Sequence, residues 1–278
     1  MPGMPSSNPL GTPAEWPVES RGRFVLAFGA LVALGALSVG VGLVAVGTGF
    51  AGAAKYALSI AALFWFTAAF GFVTRLRPQN RIADVGTTTI DDQRATVISY
   101  SGAQFVLINL LVACLFLCSV FAAWDYGNVG DGAFAPGIPM FLAFAAAVFF
   151  ASYFVLLALG RIRRGRIVLA PDGIHQEGRA FGSFLPWDSF AGVKPSYNGT
   201  REVLVIAYSN APWRKRQLAG PWRLDKLPPV PMIEINTIHL AVDPTLVYHL
   251  LRFYTKNQSA REELGTEAVL RRIREHSF

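Results

Sequence analysis

FVLAFGALVALGALSVGVGLVAVG, residues 24–47, holds no Asp, Glu, Lys, Arg or His in 24 positions. A helix of that length rises about 36 Å at roughly 1.5 Å per residue, enough to cross a hydrocarbon core of about 30 Å. Three further runs of the same kind follow, at 56–74, 103–124 and 137–160, again without one of those five residues. Water is absent from a bilayer core, so each run must satisfy its backbone internally, as a helix. The first half of the chain, about residues 23–160, therefore reads as an all-α four-helix membrane bundle. Residues 161–278 turn polar and read as one water-facing domain.

Charge divides the chain in the same place. Residues 161–278 carry 18 Lys and Arg against 11 Asp and Glu, whereas residues 1–160 carry seven of each. The net charge of +7 thus belongs to the tail, where it favours an anionic membrane surface. No recognition-helix or RNA-stacking motif accompanies it, so a nucleic-acid partner is not expected. Basic residues mark cytoplasmic loops. Arg21 and Arg23 precede the first run, and Arg75, Arg77, Arg81 and Arg94 fill the second connection, 75–102. Arg161, Arg163, Arg164 and Arg166 follow the last run, while the third connection, 125–136, has only acidic charges. Both termini are predicted in the cytoplasm of a plasma (inner) membrane protein.

The opening MPGMPSSNPLGTPAEWPVES is rich in Pro, Gly and Ser, so residues 1–22 read as a disordered tail. Trp16, Trp124 and Tyr126 suit interfacial anchoring. Within the runs the polar groups are few. Asn109 is read as an interhelical hydrogen bond, and Ala36/Gly40 and Ser38/Gly42 as small pairs for close helix packing. Cys114 and Cys118, four apart on one helix face, are packing residues rather than a disulfide.

The second connection holds two β-branched runs, Ile82–Ile90 and Arg94–Tyr100, around Asp91-Asp92-Gln93, which predicts a hairpin. A lone hairpin is marginal in water, so it is expected to pack on the tail domain. In the tail, strands are read at 166–170, from 174, at 202–208 and 232–236, with turn chemistry at Pro171-Asp172-Gly173. Pro212–Pro231 reads as a Pro-rich loop. Asp243-Pro244 offers an N-cap and a first-turn Pro, followed by Leu246, Val247, Leu250, Leu251 and Tyr254 at helical spacing. A second, charged helix is predicted from about Ser259 to Arg274. Strands closed by a helix make an α+β domain.

The segments Leu169–Ile174, Leu185–Val193 and Asp243–Leu251 resemble bacterial pleckstrin-homology-like domains, in particular those fused to several spans in actinobacterial membrane proteins. Over about 166–256 the resemblance implies a twisted antiparallel sheet closed by a C-terminal helix, with a role in binding rather than chemistry.

No catalytic constellation stands out. His175, His239, His249 and His276 are scattered without ligand spacing to Cys, Asp or Glu, and no phosphate loop, nucleophile elbow or zinc helix is present. No cofactor or metal is expected, and the chain reads as non-enzymatic. Two basic groups are candidates for anionic-lipid contact. They are Arg161, Arg163, Arg164 and Arg166 below the last run, and Arg214, Lys215 and Arg216 between Trp213 and Trp222. The expected function is a membrane-anchored binding or scaffold module for the lipid surface or a protein partner. The alternative is a small transporter, or an accessory subunit of one, with a regulatory tail.

Overall fold

The computed structural model describes residues 10–17, 21–79, 84–128, 137–222, 224–225 and 227–278. Arg81 and most of the third connection lie outside the described residues. The chain forms two compact units.

The first unit is helical. It contains α1 (Gly22–Gly47), α2 (Ala51–Gly71), α3 (Gly102–Asn128) and α4 (Ile138–Ala158), each long and apolar enough to cross a membrane. The last turn of α2 widens into a π turn over Phe72–Leu76. α1 and α2 pack closely because α1 offers no side chain at Gly35 and Gly42. The Trp65 indole fills the space over Gly35, and its Nε1 donates to the Val32 carbonyl at 3.3 Å. Ala57 lies against Gly42, whereas Gly40 has open space around it. Of the two expected small pairs, only the Gly42 side meets α2.

α2 and α3 extend four or five residues beyond their apolar runs. α2 begins at Ala51 rather than 56, and α3 continues past Trp124 to Asn128. This brings Lys55 and Asp125 inside helices, where Lys55 Nζ meets Asp125 Oδ1 at 2.5 Å and the Tyr56 hydroxyl donates to Oδ2 at 2.7 Å. Opposite charges satisfied by each other can stay helical near a span's end.

The second unit is built on two antiparallel sheets. A six-stranded sheet has the order β1 (Val85–Ile90), β2 (Gln93–Ser99), β3 (Arg166–Ala170), β4 (Gly173–Glu177), β5 (Phe181–Pro186) and β8 (Arg214–Gln217). A three-stranded sheet has the order β6 (Phe190–Tyr197), β7 (Arg201–Ala207) and β9 (Met232–Asn236). A 3₁₀ turn at Trp187–Ser189 carries the chain from one sheet to the other. The expected hairpin is present as β1 and β2, and β2 pairs with β3 from Thr96↔Leu169 to Ser99↔Arg166. The unit is therefore discontinuous in sequence. It unites the second connection with the tail, where the charge division alone gave a unit starting at residue 161.

One core joins these layers. Ile98, Ile167, Leu169, Ile174 and Leu185 of the larger sheet meet Val203, Val205, Ile233 and Ile235 of the smaller, all essentially inaccessible. α5 (Pro244–Lys256) closes it with Leu246, Val247, Leu250, Leu251 and Tyr254, and Asp243 Oδ1 accepts the Thr245 N–H as the expected cap. The predicted second helix is broken. Ser259–Glu263 is a 3₁₀ turn, Gly265 adopts φ +75°, and α6 covers only Glu267–Glu275 behind a Thr266 cap. A Cβ at Gly265 would strike the backbone of Arg94 and Ala95, so the chain must turn there with glycine.

The N-terminal reading is corrected in part. Residues 10–17 are packed into this unit rather than disordered. Trp16 is 5% exposed, donates Nε1–H to the Ser196 carbonyl at 2.9 Å and stacks edge-on against Tyr248. It is a domain residue rather than a membrane-interface anchor. Its ring gains more from complete burial in a closed pocket than from half-immersion in headgroups. Residues 1–9 and 18–20 lie outside the described residues.

Candidate functional site

Arg214, Lys215 and Arg216 form a strand rather than the expected loop. Pro212 and the Pro-rich stretch after Ala219 bound it, and between them the backbone pairs with β5, from Phe181↔Gln217 to Phe184↔Arg214. β8 ends the sheet, so its second edge carries unpaired backbone groups. All four of its residues are exposed.

Register gives this edge its neighbours. Residues directly opposite one another in a sheet project to the same face. Arg166, Glu177, Gly182 and Arg216 form one such row across β3, β4, β5 and β8. Val168, His175, Phe184 and Arg214 form the next. Two basic groups about fifty residues apart in sequence thus share one sheet face. The Arg214 guanidinium lies over the Phe184 ring at 4.4 Å, leaving its N–H edges outward. On the opposite face Lys215 sits over Trp213 at 4.4 Å, and Trp213 Nε1 donates to Ser183 Oγ at 2.7 Å.

The arginines after the last span are engaged unequally. Arg166 grips Glu177 with Nε at 2.7 Å and Nη2 at 3.2 Å, and Arg163 Nη1 lies 3.4 Å from the same carboxylate. Burial pushes the Glu177 carboxyl up, but the Arg166 hydrogen bonds and both guanidinium charges outweigh it and hold its pKa below the ordinary range. Arg164 is structural: it donates to the Tyr100 carbonyl and lies 2.6 Å from Asp84 Oδ1, tying down the start of β1. Arg161 is exposed in the helical unit. Among the described residues the ion pairs leave Arg214, Lys215 and Arg216 without a carboxylate partner.

His175 belongs to the same face and stacks on Phe184 at 4.4 Å. Burial lowers its pKa, and Arg214 adds to the effect, against the pull of Asp172 and Asp91. The imidazole is neutral at pH 7 and adds no charge. The resulting face carries Arg163 and Arg166 on Glu177, Asp172 at 3.8 Å from His175, and Arg214 and Arg216 without a carboxylate in the ion pairs among the described residues. Free guanidinium edges of that kind suit phosphate oxygens.

A second feature is a cavity of about 250 Å³ lined by Tyr100, Gln176, Asp225, Glu234 and His239 among others. Its polar groups serve one another. Gln176 Nε2 donates to the Glu234 carbonyl at 2.7 Å, and Arg179 Nη2 lies 3.1 Å from His239 Nδ1. A guanidinium only donates, so His239 Nδ1 accepts and the ring proton sits on Nε2. Burial, reinforced by the Arg179 charge, lowers the His239 pKa to about 3. Burial likewise pushes the Tyr100 hydroxyl up to about 12. Among the described residues no group of three His, Cys, Asp or Glu could hold a metal ion.

Asn109 makes its hydrogen bond within α3, Nδ2 to the Phe105 carbonyl at 2.6 Å, rather than across to another helix. A short amide reaches the carbonyl one turn back more readily than a neighbouring helix. Its Oδ1 is buried without a hydrogen-bond partner. Cys114 and Cys118 are free thiols.

Sequence reading missed the Lys55–Asp125 pair, the Arg179–His239 contact and the burial of Trp16. The first had a signal, since both residues flank apolar runs on the same expected side. The others join positions 60 and 180 residues apart, which no local pattern shows. Compared with protein-family profiles, with curated proteins and with solved structures, the chain finds no match.

Proposed function

We propose that this chain is a non-enzymatic plasma-membrane protein that holds a pleckstrin-homology-like binding module on the cytoplasmic side, and that the basic sheet face of that module contacts anionic lipid headgroups. The observation that carries the reading is the alignment of Arg166, Arg214 and Arg216 on one face, with β8 exposed at its edge. Each basic residue near an anionic surface contributes about 1 kcal/mol of attraction. The cytoplasmic assignment is supported by the arginines at 21, 23, 75, 77 and 94. It is also supported by the folding of residues 10–17, the second connection and the tail into one unit, which needs all three on one side. Two antiparallel sheets closed by α5 suit the pleckstrin-homology-like reading.

The test places a benzoylphenylalanine photo-crosslinker at Gly182, in the middle of the basic row, where a Cβ meets nothing within 4 Å. Illumination in nanodiscs of phosphatidylglycerol should give lipid adducts several-fold above those in phosphatidylcholine. Equal yields in the two lipids would remove the lipid reading.

A second reading, a small transporter or accessory subunit, is favoured by the unpartnered Asn109 Oδ1 inside the helical unit. It expects Asn109→Leu to abolish transport of a solute into proteoliposomes. A substitution that changes stability alone would remove it.

A further inference from the structure

Trp16 is the one buried residue of its segment. Gly11, Thr12, Ala14, Glu15 and Pro17 are exposed, and Leu10 and Pro13 are half-buried. The segment adds no strand to either sheet, and its internal order is a single turn, Trp16 N–H to the Pro13 carbonyl at 3.1 Å. It is attached by the buried Trp16 ring, by Leu10 half-buried against the core, and by polar contacts at either end. His249 Nε2 lies 3.1 Å from the Gly11 carbonyl, and Arg201 Nη2 lies 3.5 Å from that of Pro17.

The walls of the Trp16 pocket are held by other means. β6 is paired with β7 over its whole length, and α5 seats Leu246, Leu250 and Tyr254 in the core on a different face from Tyr248. β6 is also an edge strand, and its Ser196 carbonyl accepts the Trp16 indole N–H. A buried aromatic anchor between two prolines, on a groove between an edge strand and a helix, has the form of a bound peptide. The prolines restrict the free segment and so reduce the entropy lost on docking.

We propose that the β6–α5 groove is a peptide-binding site for a proline-flanked tryptophan segment, and that Leu10–Pro17 is its resident ligand, bound exchangeably in cis. Tethering gives the resident segment a high effective concentration, so a free peptide competes poorly until the resident Trp is removed. This inference concerns a surface distinct from the β8 face and stands or falls independently of the lipid reading.

The test uses the full chain in phosphatidylcholine nanodiscs and a fluorescent synthetic peptide of residues 10–17, read by anisotropy. With Trp16→Ala the peptide should bind saturably and at least tenfold tighter than to the unsubstituted chain. Binding should vanish for a peptide carrying Ala in place of its Trp, and for Trp16→Ala/Tyr248→Ala. Trp16→Phe, which keeps a ring but loses the N–H to Ser196, should give intermediate affinity, and it carries the test if Trp16→Ala does not fold. Absence of saturable binding to the folded variants would overturn the proposal. So would equal binding to the substituted and unsubstituted chains.

Discussion

Arg166 and Glu177 face each other across β3 and β4 and share two hydrogen bonds, at 2.7 and 3.2 Å. The carboxylate also holds Arg163, so two arginines that the sequence offers as free membrane contacts are anchored to the sheet. Glu177→Gln should lower stability by about 1–2 kcal/mol, because it leaves two guanidinium groups on a half-buried site with a weaker acceptor. The sign with pH follows from the depressed carboxyl. Its contribution is complete above the unfolded pKa of about 4.3 and is lost as pH falls through the lower folded value. Thermal melts between pH 6 and 3 should show a shallower acid loss for Glu177→Gln than for the unsubstituted chain.

His239 gives a second acid-sensitive contribution in a different window. Its folded pKa is lowered to about 3, by burial and then by Arg179. The unfolded imidazole takes a proton near pH 6.5, so stability should fall progressively from about pH 6.5 toward 3. His239→Asn keeps an acceptor for Arg179 and removes the titration. It should recover on the order of 2–4 kcal/mol of the acid loss at pH 4, measured by denaturant unfolding.

The β1–β2 turn is held by two left-handed non-glycine residues, Asp91 at φ 48° and Asp92 at φ 63°, with Ile90 paired to Gln93. Two successive positive φ values define the type I′ turn, for which Asn-Gly is the favoured pair. Asp91→Asn/Asp92→Gly should stabilise the domain by about 0.5–1 kcal/mol. A lower melting temperature would mean that the aspartates hold the hairpin by contacts other than the turn.

In the helical unit, Gly35→Ala should loosen α1 from α2, since its Cβ would collide with the Trp65 indole. Gly40→Ala, with open space around it, should be neutral. Melting in mild detergent checks both, with a loss of about 1–3 kcal/mol for the first.

The contrast between those glycines shows what sequence can and cannot convey. The four spans were legible because a bilayer imposes length and apolarity on every residue of a run. The Asp243 cap, the Asp91-Asp92 turn and the α5 face were legible because each is local. Which glycine meets a neighbour depends on helix rotation, and Gly35 rather than Gly40 could not be read from spacing. β8 was hidden because three successive charges next to a Pro-rich stretch carry no apolar alternation, so only its pairing with β5 makes it a strand. The basic face was hidden for the same reason: its rows exist only once the register of β3, β4, β5 and β8 is set.

The most direct test of that face is hydrogen exchange at residues 213–217, with the full chain in nanodiscs of anionic or neutral lipid. Exchange should slow in anionic lipid and return to the neutral-lipid rate near 1 M salt, where the screening length falls to about 3 Å. Arg214/Lys215/Arg216→Glu should abolish the difference. Identical exchange in the two lipids at low salt would contradict contact between β8 and the membrane surface.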